Sequence, residues 1–160
     1  MTTTEEDIIA AIEKLDAYIR KHRIRQSAER RMILEKIMRL DAHFTARSLH
    51  SLMQGAERVS LATVYNTLEL LQKAGLIVKH PFAEPEYETT ARSRTHHHRI
   101  CIQCGAIKEF SDQKMEKAIK QRTFSAFAPE YSSLYLYGLC KKCMPRQKKS
   151  RTSASTSGRK

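Results

Sequence analysis

The sequence has no Trp, five Gly and four Pro, and nowhere does it hold the roughly 18 consecutive apolar residues that a membrane span requires. The opening stretch, MTTTEEDIIAAIEKLD, carries acids where a secretory signal carries bases, so the expectation is a cytoplasmic protein, neither exported nor inserted in a membrane. There is no Gly-rich phosphate loop, no His-Glu-x-x-His, and no Cys-x-x-Cys opening a thioredoxin-like βαβ unit. These absences argue against the commonest phosphoryl-transfer, zinc-hydrolase and thiol-redox sites. Acids are also scarce: 17 stand against 29 Lys and Arg, giving a net charge of +12 on 160 residues. A chain this short, 41% hydrophobic, builds one or two small cores, and its charge points to a polyanionic partner, nucleic acid first.

The excess charge is unevenly spread: +3 over residues 1–80, +3 over 81–144 and +6 over 145–160. The last stretch, PRQKKSRTSASTSGRK, has no residues from which to build a core and reads as a disordered basic tail, either a solvated terminus or a source of non-specific phosphate affinity.

All four cysteines fall in two pairs, Cys101-x-x-Cys104 and Cys140-x-x-Cys143. Each Cys-x-x-Cys turn aims two thiolates at one point while its backbone amides stabilise their charge, and four such sulfurs suit a tetrahedral structural zinc. Redox-active or structural disulfides are the competing readings, and a reducing compartment disfavours them. A zinc at this spacing would staple the two ends of a small domain.

Ile8, Ile12, Leu15 and Ile19 recur at helical spacing and predict a helix over about residues 5–21. A second helix is expected over Glu29–Leu40 with Ser27 as its cap and Ile33, Ile37 and Leu40 on one face. Thr45 caps a third, with Leu49, Leu52 and Met53 buried before Gly55. Ser60 opens a fourth, running to Gly75 with Leu61, Val64, Leu68 and Leu71 inward and Ala62, Tyr65, Asn66 and Glu69 outward. Residues 76–80 and 87–89, separated by a turn around Pro81 and Pro85, form a β-hairpin. Short helices followed by a hairpin spell a winged helix-turn-helix, whose last helix enters the major groove. Asn66 can bond adenine bidentately, and Tyr65 can meet a thymine methyl or a phosphate. The same pattern also suits a small helical domain that binds nothing.

The fold class is therefore α+β: a winged helix-turn-helix domain over residues 1–89, a hinge at 90–94, a small α/β dimerisation domain at 95–144 stapled by the cysteines, and the tail at 145–160. In the second unit, strands are expected at Arg99–Ile102, Ala106–Phe110 and Ser133–Gly138, with a helix from Asp112 to about Arg122. A unit so small, with an alternating aromatic strand, completes its core most easily against a second copy, so a homodimer is expected.

His96, His97 and His98 precede the first of those strands, and a period of two turns the first and third to one side as a two-imidazole claw. Glu109 on the neighbouring strand, Glu88 at the end of the wing and His43 ahead of the third helix could join them in an N/O site for Fe(II), Zn(II), Mn(II) or Ni(II). A His cluster can equally be a merely polar surface.

Six segments, in order, resemble the ferric uptake regulator family of metal-dependent bacterial transcription factors: Ser60-Leu-Ala-Thr-Val-Tyr65, Ala74-Gly-Leu-Ile77, His96 through Gly105, Glu109-Phe-Ser-Asp112, Leu134-Tyr-Leu-Tyr-Gly138 and Cys140-x-x-Cys143. The resemblance covers about residues 20–144 and implies a repressor that binds a double-stranded DNA operator as a homodimer when loaded with metal, with no membrane and no small-molecule substrate. It implies structural Zn2+ at Cys101, Cys104, Cys140 and Cys143, and a regulatory site of His43, Glu88, His96, His98 and Glu109 that takes Fe2+, with Zn2+ or Mn2+ as alternatives. A third, weaker site would draw on His97 and Glu116, and DNA contacts on Arg25, Ser60, Thr63, Tyr65 and Asn66. Iron-responsive control of metal uptake genes is the leading expectation. A zinc- or peroxide-responsive regulator is the alternative, although peroxide sensors of the family usually carry Asp at the positions of Glu88 and Glu109. A zinc-dependent or thiol-redox enzyme is a remote third.

Overall fold

The computed structural model describes residues 3–55, 59–129 and 131–145. The basic tail expected from residue 145 onward lies outside the described residues beyond Pro145. The elements run α1 (Glu5–Lys21), α2 (Ala28–Met38), α3 (Ala46–Leu52), α4 (Leu61–Lys73), β1 (Ile77–His80), β2 (Glu86–Thr89), α5 (Thr90–Ser93), β3 (His97–Cys101), β4 (Ile107–Phe110), α6 (Gln113–Lys120) and β5 (Tyr135–Gly138). The α+β class and the helix–hairpin order are those expected, and no described helix is long and apolar enough to cross a membrane.

Helix α1 starts at a capping box, where the Thr4 hydroxyl accepts from the Asp7 amide and the Asp7 carboxylate returns the bond to the Thr4 amide. It buries Ile8, Ala11, Leu15 and Ile19 against α2, which contributes Ile33, Leu34, Ile37 and Met38. Ser27 occupies the N-cap position of α2 as expected, but its side chain accepts no backbone N–H there; its hydroxyl donates to the Glu29 carboxylate two residues on. Thr45 caps α3 through the Ser48 amide, but Leu52 is 52% exposed and drops out of the expected buried face. With only seven residues in α3, the inward stripe is Ala46 and Leu49, with Met53 completing it from the C-cap.

Helix α4 packs on α3 and buries Val64, Thr67, Leu68, Leu70 and Leu71. Gly75, at φ +66°, takes the left-handed turn that ends α4, and the Leu76 amide returns to the Leu71 carbonyl at 3.0 Å. The chain then enters β1, which pairs antiparallel with β2 in the register Val78↔Glu88 and His80↔Glu86. A single antiparallel bridge joins Phe44 to Tyr87, with amide-to-carbonyl bonds of 3.0 and 2.8 Å in the two directions. That bridge brings His43, ahead of α3, alongside Glu88 on the wing.

The segment expected as a hinge forms α5, one helical turn capped by Thr89. Beyond it β3 sits between β4, antiparallel, and β5, parallel. β3 begins at His97, two residues before the expected strand, because its pairing with β4 extends to His97↔Phe110. Helix α6, capped by Asp112, has no buried residue, and Ile102, Phe127, Leu136 and Tyr137 are largely exposed. The hydrophobic core therefore belongs to the helical unit and its wing.

Replacing fully buried Leu68 by Ala is expected to cost about 2–5 kcal/mol, whereas the same change at Leu52 costs about 0.5 kcal/mol or less. Urea unfolding monitored by circular dichroism measures both, and equal losses would place Leu52 in the core after all.

Candidate metal centre

Two groups of ligating side chains converge among the described residues. In the first, the four cysteine sulfurs all lie within 4.8 Å of one another. Cys101 ends β3, and Gly105, at φ +70°, lets the chain reverse so that the Cys101 amide and the Ala106 carbonyl meet at 2.9 Å. The Cys104 and Cys140 sulfurs are 3.7 Å apart, close to the roughly 3.8 Å edge of a tetrahedron with 2.3 Å zinc–sulfur bonds. Backbone N–H groups, that of Cys140 foremost, hold the Cys101 thiol down to about 6, so it is a thiolate at neutral pH. Side-chain hydrogen bonds from the neighbouring Cys140 and Cys104 sulfurs push Cys143 up to about 12, which marks how closely the four sulfurs crowd one point. The donor set fits zinc.

In the second group, the ligating atoms of His43, Glu88, His96 and His98 lie within 4.8 Å of one another. Glu109 stands at their edge, its Oε1 3.2 Å from His43 Nδ1 and 3.9 Å from His96 Nε2. It faces His98 across the β3–β4 ladder. Glu88 has no exposed surface. Its Oε1 meets His80 Nε2 at 2.7 Å and His43 Nε2 at 3.4 Å; its Oε2 meets Arg92 Nη1 at 2.9 Å and His96 Nε2 at 3.5 Å. Burial pushes this carboxyl up, but the His43 and His80 bonds and the His96 field outweigh it and hold it well below the usual carboxylate range. At Glu109 burial is likewise outweighed, by Arg92, and the net shift is downward.

The tautomers follow from the partners. His96 Nδ1 lies 3.1 Å from the Arg92 carbonyl, which can only accept, so Nδ1 carries the proton. His96 Nε2 therefore presents a lone pair, and it is buried with no hydrogen-bond partner. A backbone carbonyl that takes the far N–H of an imidazole fixes its tautomer and ring orientation for binding a metal through the other nitrogen. His98 Nε2 and His43 Nε2 face each other at 3.1 Å, about the separation of adjacent nitrogens on one cation with bonds of about 2.1 Å. Burial, then the His80, His96 and His43 rings, lower His98 to about 4, and burial lowers His96 as well, so both offer lone pairs at neutral pH. A buried carboxylate, an unpartnered nitrogen and imidazoles held neutral suit a divalent cation of the N/O-loving class.

The structure adds two members that the sequence reading omitted. His80 is fully buried, its Nε2 donating to Glu88 and its Nδ1 2.8 Å from the Tyr135 hydroxyl on β5. The signal lies in the hairpin register: His80 shares a strand face with Val78, whose cross-strand partner is Glu88. Arg92 follows Glu88 by four residues, and the chain's turn from β2 into α5 at Thr89 brings the two side chains together.

The other expected site residues are more dispersed. His97 turns to the opposite face, its ring 5.5 Å from that of Phe110 and both nitrogens buried without partners. Glu116 lies in α6, and among the described residues neither joins a group of three or more ligating side chains. Tyr65, 47% exposed, and Asn66 lie on the outer face of α4, and Arg25 is exposed in the turn before α2. Ser60 and Thr63 bond each other at 2.9 Å while the Ser60 hydroxyl also caps α4.

A cleft of about 680 Å³ runs between α1 and α5 and reaches the centre, with Arg92, His96 and Glu109 in its wall.

Residues 21–137 match the model of the Ferric uptake regulator family. The chain is 30% identical over 158 residues to the Ferric uptake regulation protein of Campylobacter upsaliensis, spanning 92% of this chain and 97% of the relative. It is 25% identical over 148 residues to the Peroxide-responsive repressor PerR of Staphylococcus saprophyticus, spanning 91% of this chain and 100% of the relative. Among solved structures, the ferric uptake regulator from Pseudomonas aeruginosa with manganese superposes with a TM-score of 0.63 at 31% identity, covering 79% of this chain and 98% of that one.

The lowered His98 sets a pH dependence. Its folded state resists protonation until about pH 4, whereas the unfolded chain takes the proton near 6.5, so stability present above 6.5 is lost as pH falls through that window. Metal-free protein is expected to lose about 3 kcal/mol from this group alone between pH 7 and pH 4. Replacing His98 by Asn should flatten that part of the profile in urea titrations; an unchanged slope would remove His98 as its source.

Proposed function

The chain belongs to the ferric uptake regulator family, and on that premise we propose that it is a metal-responsive transcriptional repressor, with iron as its signal and DNA as its target. The reading is carried by one observation: donors from two units meet at one point. His43 and Glu88 come from the helical unit and its wing, His96 and His98 from the start of the second sheet, and Glu109 from β4 beside them. A bound divalent cation supplies the single positive centre that all these donors face. His43 and Glu88 can keep their positions relative to His96 and His98 only while the two units hold one orientation, so ligation and orientation are linked.

The orientation of the unit carrying α4 fixes where Tyr65 and Asn66 stand. In a homodimer two such helices must match two half-sites about one helical turn apart, so fixing each unit raises operator affinity. Ser60 and Thr63 position the start of α4 through their mutual bond, and Arg25 and the basic charge of the chain add phosphate contacts. The dimer reading is supported by the second unit, where Ile102, Phe127, Leu136 and Tyr137 are exposed and α6 buries nothing. Cys101, Cys104, Cys140 and Cys143 hold a structural zinc that joins the end of β3 to the segment after β5. Those four sulfurs form a closed set, which is the form of a structural zinc site and not of a catalytic one with an open position.

Zinc outbinds Fe(II) at most N/O sites, so a zinc-responsive regulator is the second reading, favoured by the imidazole-rich donor set. Likeness to the Staphylococcus repressor keeps a peroxide-responsive role third.

The experiment uses duplex DNA selected from a random library by the metal-loaded protein. Anaerobic addition of Fe(II), Zn(II) or Mn(II) is expected to raise affinity for that duplex about 5- to 150-fold. The double variant His96→Ala/His98→Ala should lose the rise while remaining dimeric by light scattering. Equal DNA affinity with and without every metal contradicts the reading.

A further inference from the structure

Among the side chains packed at the second centre, Arg92 alone carries a positive charge it cannot release. Its guanidinium spans the two carboxylates of the candidate ligand set: Nη1 is 2.9 Å from Glu88 Oε2, and Nη2 is 3.1 and 3.3 Å from the Glu109 oxygens. These are the only two anions among His43, Glu88, His96, His98 and Glu109. The Glu88 oxygen that Arg92 holds is the one 3.5 Å from the unpartnered nitrogen of His96. The guanidinium thus bonds the same atoms a divalent ion would need.

We infer that Arg92 is a resident counter-cation that competes with the divalent ion for Glu88 and Glu109, and so sets the metal concentration at which the centre fills. The inference rests on the reading of this centre as the metal site.

Three features of the fold support competition over simple support of the carboxylates. First, the residue divides its work. The Arg92 carbonyl accepts from His96 Nδ1 at 3.1 Å and from the Thr95 hydroxyl at 2.7 Å, and its backbone is fixed within α5, so ligand orientation depends on the main chain and leaves the side chain free to withdraw. Second, there is somewhere to go. Arg92 Nε is 3.5 Å from Asp41 Oδ1, a side chain that is 71% exposed, on the outer side of the centre. Third, Arg92 lines the cleft between α1 and α5 together with His96 and Glu109, while Glu88 lies fully buried behind it. An ion entering by that cleft meets the guanidinium before it meets Glu88.

The charge argument gives the sign. With Arg92 in place the two carboxylates are already half neutralised, and a divalent ion leaves an excess positive charge beside Glu88, His96 and His98, which are buried. With an uncharged side chain at position 92 the ion and the two carboxylates balance. Buried excess charge is costly, so the arginine weakens binding. A histidine ligand can admit a metal by giving up a proton; a guanidinium can only move.

The test uses full-length protein with zinc at the cysteines, titrated with Mn2+ while the free aquo ion is followed by electron paramagnetic resonance. Arg92→Gln is expected to tighten Mn2+ binding by at least about tenfold. The same variant should melt lower than wild type without Mn2+ and gain more from its addition, because the metal-free carboxylates have lost their counter-cation. Arg92→Lys, with a shorter reach and no planar fork, should tighten binding to an intermediate degree, and it supplies the comparison if the Gln variant does not fold without metal. Unchanged or weaker Mn2+ affinity in both variants overturns the inference and leaves the site reading standing. A wild-type protein whose Mn2+ uptake is unaffected by His96→Ala/His98→Ala overturns the site reading, and the inference with it.

Discussion

A carboxylate with no access to water organises this molecule. Glu88 ends the wing, yet its oxygens are held by His80 and His43 on one side and by Arg92 on the other, with His96 within reach. A buried charge is tolerated only where partners surround it. Those partners arrive from four separate stretches of chain, the residue before the Phe44 bridge, β1, α5 and the residue before β3, and the His80–Tyr135 bond ties in β5 behind them. Meeting the needs of one carboxylate therefore fixes the wing against the second sheet. His43 reaches it because Phe44 bridges Tyr87, and His98 because β3 lies between β4 and β5.

The two ligand clusters divide the work by chemistry. Four thiols at the far end of β3, one held down to about 6 by backbone amides, make a soft tetrahedral set within a single unit, which suits permanent occupancy. The other set mixes imidazoles and carboxylates from both units, with no thiol to fix the ion for good. In the proposed function exchange belongs at the junction, because there the loss of an ion would change the relation between units. The low proportion of buried surface in the second unit complements this: α6 and β5 are largely exposed, the face assigned to a second copy in the proposed dimer, while the helical unit keeps its own closed core.

Much of this was legible in the chain. The i, i+4, i+7 stripe of α1, the Ser60 and Thr45 caps, the hairpin and both cysteine pairs are local signals, fixed by residues within a turn or two of one another. The period of two correctly separated His96 and His98 from His97, even though β3 starts earlier than expected, because the pleat rather than the strand boundary decides the side. Errors arose where a local pattern was met by a second local constraint. Leu52 lies to the side of the stripe that Ala46, Leu49 and Met53 turn inward, and Ser27 has a cap's identity and position but donates its hydroxyl proton to a carboxylate two residues away. His80 and Arg92 escaped because each acquires its role only through pairing: His80 through the β1–β2 register, Arg92 through the turn of α5 that follows the wing. Which residues are chemically able to bind was readable; which of them share a point in space required the bridges and ladders.

The central claim is that one divalent ion is shared by side chains of both units. Anomalous diffraction at the iron edge from anaerobic crystals of the Fe(II)-loaded protein tests it directly. The account expects one strong peak within about 2.3 Å of donor atoms from His43 or Glu88 and, at the same time, from His96 or His98. A peak ligated from one unit alone, with the other unit's side chains turned away, would contradict it.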